Sequence, residues 1–270
     1  MLSIFSDYSY DYYDMLSIQR LNMDNTWVLR FGKTSILVDP WLFGSEVDFF
    51  SWFNEQWHRT KPVELEAVPD YDFVVITQKY PDHFHKETLQ ALNPGKIIVP
   101  SSIEKQVSKL LPSADVITLD NDVHNAFGSD INIHFLPTGR KMDPIYDALI
   151  IESDGNSVFL ATHGFTLSDN WLEKAKQIAP FNLLITPFNH FKLPKILGGD
   201  VSPGIESVKN LQSILEAEKV VATHDEDKHA KGIVSKLAKI KWAPNKTTLS
   251  SEEYFGSHYL HIDHYQLVTL

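Results

Sequence analysis

Residues 72–89 read DFVVITQKYPDHFHKETL. Asp72 to Thr77 is a near-continuous apolar run, the pattern of a strand buried on both faces. Gln78 to His83 is a polar cluster. Lys86 to Leu92 is helix-like, and Asn93-Pro94-Gly95 then breaks the chain before a strand at Lys96 to Val99. The order is strand, polar turn, helix, strand, and it places the polar side chains at a strand end, where such groups collect into sites.

Reading outward, Thr26 to Phe31 and Ser35 to Val38 flank Gly32-Lys33 as a hairpin. Ser101-Ser102 with Glu104 and Lys105 caps an amphipathic helix to about Leu111, followed by a strand at Asp115 to Leu119. The pattern then turns antiparallel: Ile131 to Leu136, Ala148 to Glu152 and Ser157 to Ala161, the last two joined across Ser153-Asp154-Gly155-Asn156. Helices return at Leu167 to Ile178 and Pro203 to Glu216, each before a strand, Asn182 to Thr186 and Lys219 to Ala222. Mixed strands with helices in both halves, and no composition shift marking a linker, predict one domain over residues 1–270: two sheets face to face with helices outside.

The composition narrows the function classes. The 270 residues carry 24 Lys+Arg and 35 Asp+Glu, a net charge of −11, which argues against a general nucleic-acid binder. Cysteine is absent, so disulfides, thiolate metal sites and thiol nucleophiles are excluded and any metal must use His, Asp or Glu. The first residues, MLSIFSDYSYDYYD, lack a basic region and an apolar core, and the expectation is a cytoplasmic or organelle-stromal protein without membrane insertion. No G-x-S-x-G elbow, dinucleotide fingerprint or P-loop occurs.

The run DFVVIT-QKYPDH-FHKETL resembles the signature of the metallo-β-lactamase superfamily, a strand followed by T-H-x-H-x-D-H. Ile36 to Leu42 (ILVDPWL) resembles its earlier strand-Asp segment. Phe135 to Arg140 is similar to the segment that supplies a third histidine, Val158 to Gly164 to the strand ending in a metal-bridging aspartate, and Val220 to His224 to the strand ending in the last histidine. The resemblance implies an α/β fold, a four-layer αββα sandwich with mixed sheets. It also implies two metal sites, which differ sharply in this chain. The first maps to Gln78, Tyr80 and Arg140, none an ordinary ligand there; the second maps to Asp82, His83, His163 and His224, all able to bind a metal.

That organised loss implies a degenerate, mononuclear site. Zn²⁺ is the first expectation, and Fe²⁺ and Mn²⁺ also suit three imidazoles and a carboxylate. Arg140 would hold a substrate anion or a developing oxyanion, with Tyr80 as a further donor and Gln78 beside them. The reading is a metal-dependent hydrolase of a small ester or phosphoester, with a homo-oligomer left open. One alternative is a catalytically inactive member serving as a binding or scaffold protein; a second is a metal-dependent oxidoreductase.

Plainer roles stand beside these. Asp82-His83 suits the capped start of a helix, and strand-end histidines are often only hydrogen-bonded. Asp39 reads as a residue holding the motif loop by hydrogen bonds. The aromatic residues of 41–57 are expected to cover a sheet edge as core, with a substrate wall or subunit contact as the other reading. Asp225-Glu226-Asp227 reads as solvated surface, His190 as a residue near the cleft, and His258, His261 and His264 as surface or structural positions on a strand.

Overall fold

A computed structural model describes residues 15–119, 122–137, 147–165, 169–197, 199–263 and 265–270. The first hairpin sets the pattern. Trp27–Phe31 and Thr34–Val38 pair from Trp27 opposite Val38 to Phe31 opposite Thr34. Gly32 takes φ +54° at the first turn position, the left-handed geometry that a tight hairpin needs and that glycine adopts without cost to a Cβ. Leu16–Arg20 and Leu267–Thr269 extend this antiparallel half. Phe73–Val75, Lys96–Val99 and Asp115–Thr118 add a parallel half, completing a seven-stranded sheet. The helices Lys86–Leu92 and Glu104–Leu110 make the crossovers.

The second sheet runs Lys219–Thr223, Leu183–Pro187, Asn156–Leu160, Ala148–Ser153, Asn132–Leu136, parallel at the first end and antiparallel at the other. Its hairpin turn, Asp154-Gly155, has both residues at positive φ, as expected of Asp-Gly in a primed turn.

Side-chain alternation gives each sheet two apolar faces. Ile18, Trp27 and Leu29 of the first meet Leu149, Ile151 and Leu160 of the second. On the outer face of the first sheet, Val28, Leu37 and Val74 lie under Leu89 and Val107 of the two crossover helices. On the other outer face, Ile150, Phe159 and Leu184 lie under Ala175 of helix Asp169–Ile178 and Val208 and Leu211 of helix Ile205–Leu215. Three apolar seams thus bind helix, sheet, sheet and helix, the αββα sandwich that the sequence predicts.

Three readings change. Residues 41–57 do not act together as core: Trp41 is fully buried, but Phe49, Phe50 and Trp52 are 83, 60 and 63% exposed. The segment forms the hairpin strands Ser45–Asp48 and Asn54–Trp57, of which Asn54–Trp57 also pairs with His229–Gly232 in a small separate sheet, and the three exposed rings occupy the hairpin tip. Glu226 is not solvated surface; it accepts from the Arg59 and Thr60 N–H groups and contacts His58 Nδ1 at 2.9 Å. His258 ends a short 3₁₀ turn, Gly256–His258, instead of lying in a strand, and His264 falls outside the described residues. Among the described residues no helix is long and apolar enough to cross a membrane.

Candidate metal centre

The candidate residues sit where strands end. Asp82 and His83 lie in the loop after Phe73–Val75, His163 in the loop after Asn156–Leu160, and His224 directly after Lys219–Thr223. One ligand atom from each of the four lies within 4.8 Å of the others. His83 Nε2 is 3.1 Å from His163 Nε2 and 3.7 Å from Asp82 Oδ2. The His163 and His224 rings stack with centroids 4.7 Å apart. His83 is fully buried while the other three are partly exposed, so the group opens to solvent on one side.

Two buried carboxylates orient the imidazoles. Asp39 is 0% exposed; it accepts from Thr77 N–H at 2.7 Å and Asn25 Nδ2 at 2.6 Å, and lies 2.6 Å from His83 Nδ1. The loop-holding role read from the sequence is therefore present as hydrogen bonds. Asp24, also 0% exposed, lies 2.8 Å from His224 Nδ1 and 3.0 Å from Lys228 Nζ. Burial would raise the Asp24 pKa, but His224 and the Lys228 ammonium outweigh it and hold it well below the usual carboxylate range. An ionised Asp24 accepts the His224 Nδ1 proton and leaves Nε2 as a bare lone pair.

The backbone is bent to serve this. His224 takes φ +47° and Asp39 φ +45°, a region that residues with a Cβ seldom enter and that concentrates at functional sites. The turn His224 occupies is tied by its own N–H, which donates to Asp24 O at 2.9 Å.

Whether these groups fit a cation can be tested on one atom. His224 Nε2 is buried with no hydrogen-bond partner among the described residues, a costly state for a polar atom unless something else faces it. Without a cation, His83 and His163 must also share a proton, since two bare imidazole nitrogens 3.1 Å apart repel. Burial opposes charge on His83, yet Asp82 and then Asp39 raise its pKa to about 9. Burial, then the neighbouring His224 and His83, push His163 well down. A proton between one charged and one neutral ring occupies the place a cation would take. Three imidazole nitrogens and a carboxylate, each ring turned by a hydrogen bond on its far nitrogen in two of three cases, make a donor set that fits a divalent metal.

The remaining candidates lie around this group. Gln78 is buried, and its Nε2 donates to Thr162 Oγ1 at 2.9 Å, tying the motif loop to the residue before His163. Tyr80 closes the motif turn through its carbonyl, which accepts from His83 N–H at 3.0 Å and Phe84 N–H at 2.7 Å. Arg140 lies outside the described residues. His190, 38% exposed, pairs with Asp200 at 3.0 Å. Asp24 and Lys228 are not marked by the sequence, for both sit in ordinary polar loops, Asp24 between the strands Leu16–Arg20 and Trp27–Phe31 and Lys228 just before His229–Gly232.

Comparison with known proteins now has a geometry to meet. The model of the beta-lactamase superfamily domain matches residues 21–224. None of the curated proteins matches the chain significantly in sequence. Among solved structures, isothiocyanate hydrolase from Delia radicum gut bacteria superposes with a TM-score of 0.66 at 15% identity, covering 93% of this chain and 98% of that one. A possible metal-dependent hydrolase from Veillonella parvula DSM 2008 gives 0.65 at 17%, covering 96% and 100%. A metallo hydrolase from the archaeon Ignicoccus hospitalis gives 0.62 at 15%, covering 95% and 98%. At these identities the likeness is one of fold. With the domain match spanning the strand-end residues from Asp24 to His224, the chain belongs to the beta-lactamase superfamily and has the metallo-β-lactamase fold.

Proposed function

We propose that this protein is a metal-dependent hydrolase of a small ester or phosphoester, with one divalent ion, first of all Zn²⁺, held by Asp82, His83, His163 and His224. The observation that carries the reading is the buried, unpartnered Nε2 of His224 inside a group of donors all within 4.8 Å. The hydrolases among the structural neighbours support it. A divalent ion bound there supplies Lewis-acid polarisation and a water acidic enough to act as nucleophile near neutral pH.

The chain's own residues do the rest. Asp24 and Asp39 hold His224 and His83 in the tautomer that presents Nε2. Lys228 stays charged: burial opposes it, but Asp24, Asp82 and Glu46 hold its pKa above the ordinary ammonium value. It is a fixed cation beside the donor group. Arg140 is assigned the substrate anion or developing oxyanion, Tyr80 a hydrogen bond to the same oxygen or the leaving group, and Gln78 the support of the loop.

Elemental mass spectrometry on protein purified without a tag or added metal tests this, paired with a screen of ester and phosphoester substrates. About one metal per chain is expected, lost with activity in His163→Ala and His224→Ala and kept in His258→Ala. Arg140→Ala should keep the metal and lose turnover. A content near zero that stays there after metal is added back overturns the reading, as does equal metal retention in all the histidine variants.

A further inference from the structure

A cavity of about 200 Å³ lies beside the donor group but is not part of it. Its walls are strand Ser45–Asp48, the motif loop at Lys79 and Pro81, and the start of helix Lys86–Leu92, with Glu46, Val47, Phe84 and His85 among the lining side chains. Two of these are buried and polar, and they differ in one respect. His85 spends both ring nitrogens: Nδ1 accepts from Thr88 N–H at 3.2 Å, which leaves Nε2–H to donate to Ser45 O at 3.3 Å. Burial keeps it neutral by pushing its pKa down. Glu46 is 2% exposed, and its Oε2 is buried with no hydrogen-bond partner among the described residues. Among the described residues no donor answers this acceptor, which ordinarily takes several hydrogen bonds.

The surroundings of Glu46 favour a cation. Burial first, then the negative charges of Asp82 and Asp48, push its pKa well above the usual carboxylate range. The buried cation near it, Lys228, is committed to Asp24 at 3.0 Å. The other charged side chains lining the cavity, Lys79, Lys86 and Glu87, are exposed at its rim, where water and salt screen them. Lys79 and Lys86 also lean over the rings of Tyr80 and Phe84, 5.6 Å from each centroid. A buried acceptor in low dielectric outweighs screened rim charges in selecting a ligand.

We infer that this cavity binds a small primary ammonium compound, whose N–H groups donate to the Glu46 carboxyl while its short apolar body lies against Val47, Pro81 and Phe84. An ammonium placed there favours the ionised form of Glu46, which a neutral alcohol of the same shape does not, and a carboxylate would add negative charge beside Asp48 and Asp82. This binding is separate from the hydrolase reading, because it calls for neither metal nor turnover.

Ligand-observed NMR titration of the purified protein with propylammonium, propanol and propionate tests it. Saturable binding of propylammonium alone is expected, weakened roughly tenfold or more in Glu46→Gln. Val47→Phe, which narrows the cavity and leaves the carboxyl in place, should weaken it too and serves should Glu46→Gln fail to fold. Three results overturn the inference: no saturable amine binding, equal or tighter binding of propionate, and amine binding unchanged in the variants. Binding abolished by His163→Ala but kept by Glu46→Gln would put the amine on the histidine group and equally overturn it.

Discussion

Asp24 and His224 are 200 residues apart in the chain and 2.8 Å apart in space. Their contact decides which His224 nitrogen faces the other donors, so Asp24 is a positioning residue of the proposed centre. Asp24→Asn keeps the shape but removes the charge. The amide can turn its NH₂ toward the ring or toward Lys228, leaving one of them poorly answered. Metal affinity should fall about 10- to 100-fold, read by competition with a chelating chromophore, while the far-ultraviolet spectrum stays the same. Unchanged affinity would remove Asp24 from the site. At this scale the sequence is informative where chemistry coincides with pattern. Asp82, His83, His163 and His224 each follow an apolar run, so their polarity stands out. Asp24 lies in LNMDN and Lys228 in DEDKH, where polar residues are the rule, and nothing local marks either as buried. Glu46 stands between Ser45 and Val47 in a segment without periodicity, and its burial depends on residues far along the chain.

Among elements, the hairpin with Phe49, Phe50 and Trp52 at its tip differs most from expectation. Aromatic residues mostly stabilise by burial, and sequence alone does not say which of several rings points inward. The pairing of Asn54–Trp57 with His229–Gly232 joins segments more than 170 residues apart, and no turn signal could announce it. The exposure divides two substitutions. Phe50→Ser with Trp52→Ser should shift unfolding stability by no more than about 0.5 kcal/mol per site. Trp41→Ala, at a fully buried ring, should cost about 3–5 kcal/mol by denaturant titration. Comparable losses in both would mean the tip is covered in solution.

The helix Asp169–Ile178 offers a pH test away from the donor group. Its Lys174 Nζ lies 2.6 Å from Asp122, whose carboxyl also lies 3.1 Å from His134 Nδ1 on strand Asn132–Leu136. Burial acts to raise the Asp122 pKa, but Lys174 and His134 outweigh it and the net shift is downward. A lowered carboxylate stabilises the fold above its unfolded pKa of about 3.9, and that contribution is lost as pH falls through the lowered value. Wild type should therefore exceed Asp122→Asn in stability at neutral pH, and the gap should close below about pH 4. A gap that widens on acidification would contradict the pairing.

For the whole molecule, the alternation of apolar runs and helix signals made the sandwich legible, because each core seam repeats a period that the sequence carries openly. The two sheets contribute unequally to the candidate centre: Asp82 and His83 come from the loop after a strand of one, His163 and His224 from strand ends of the other. Neither sheet alone brings the four together. A bound ion would therefore act as a rivet across the seam where Ile18 and Leu160 meet. Such a chelate would form only after the sheets dock, and would have to open before they part. Added metal should slow unfolding in stopped-flow denaturant jumps in proportion to occupancy while leaving the refolding rate nearly unchanged, the signature of an interaction absent from the transition state. Faster refolding with metal would instead mean that the donors assemble early, before the two halves of the sandwich have closed.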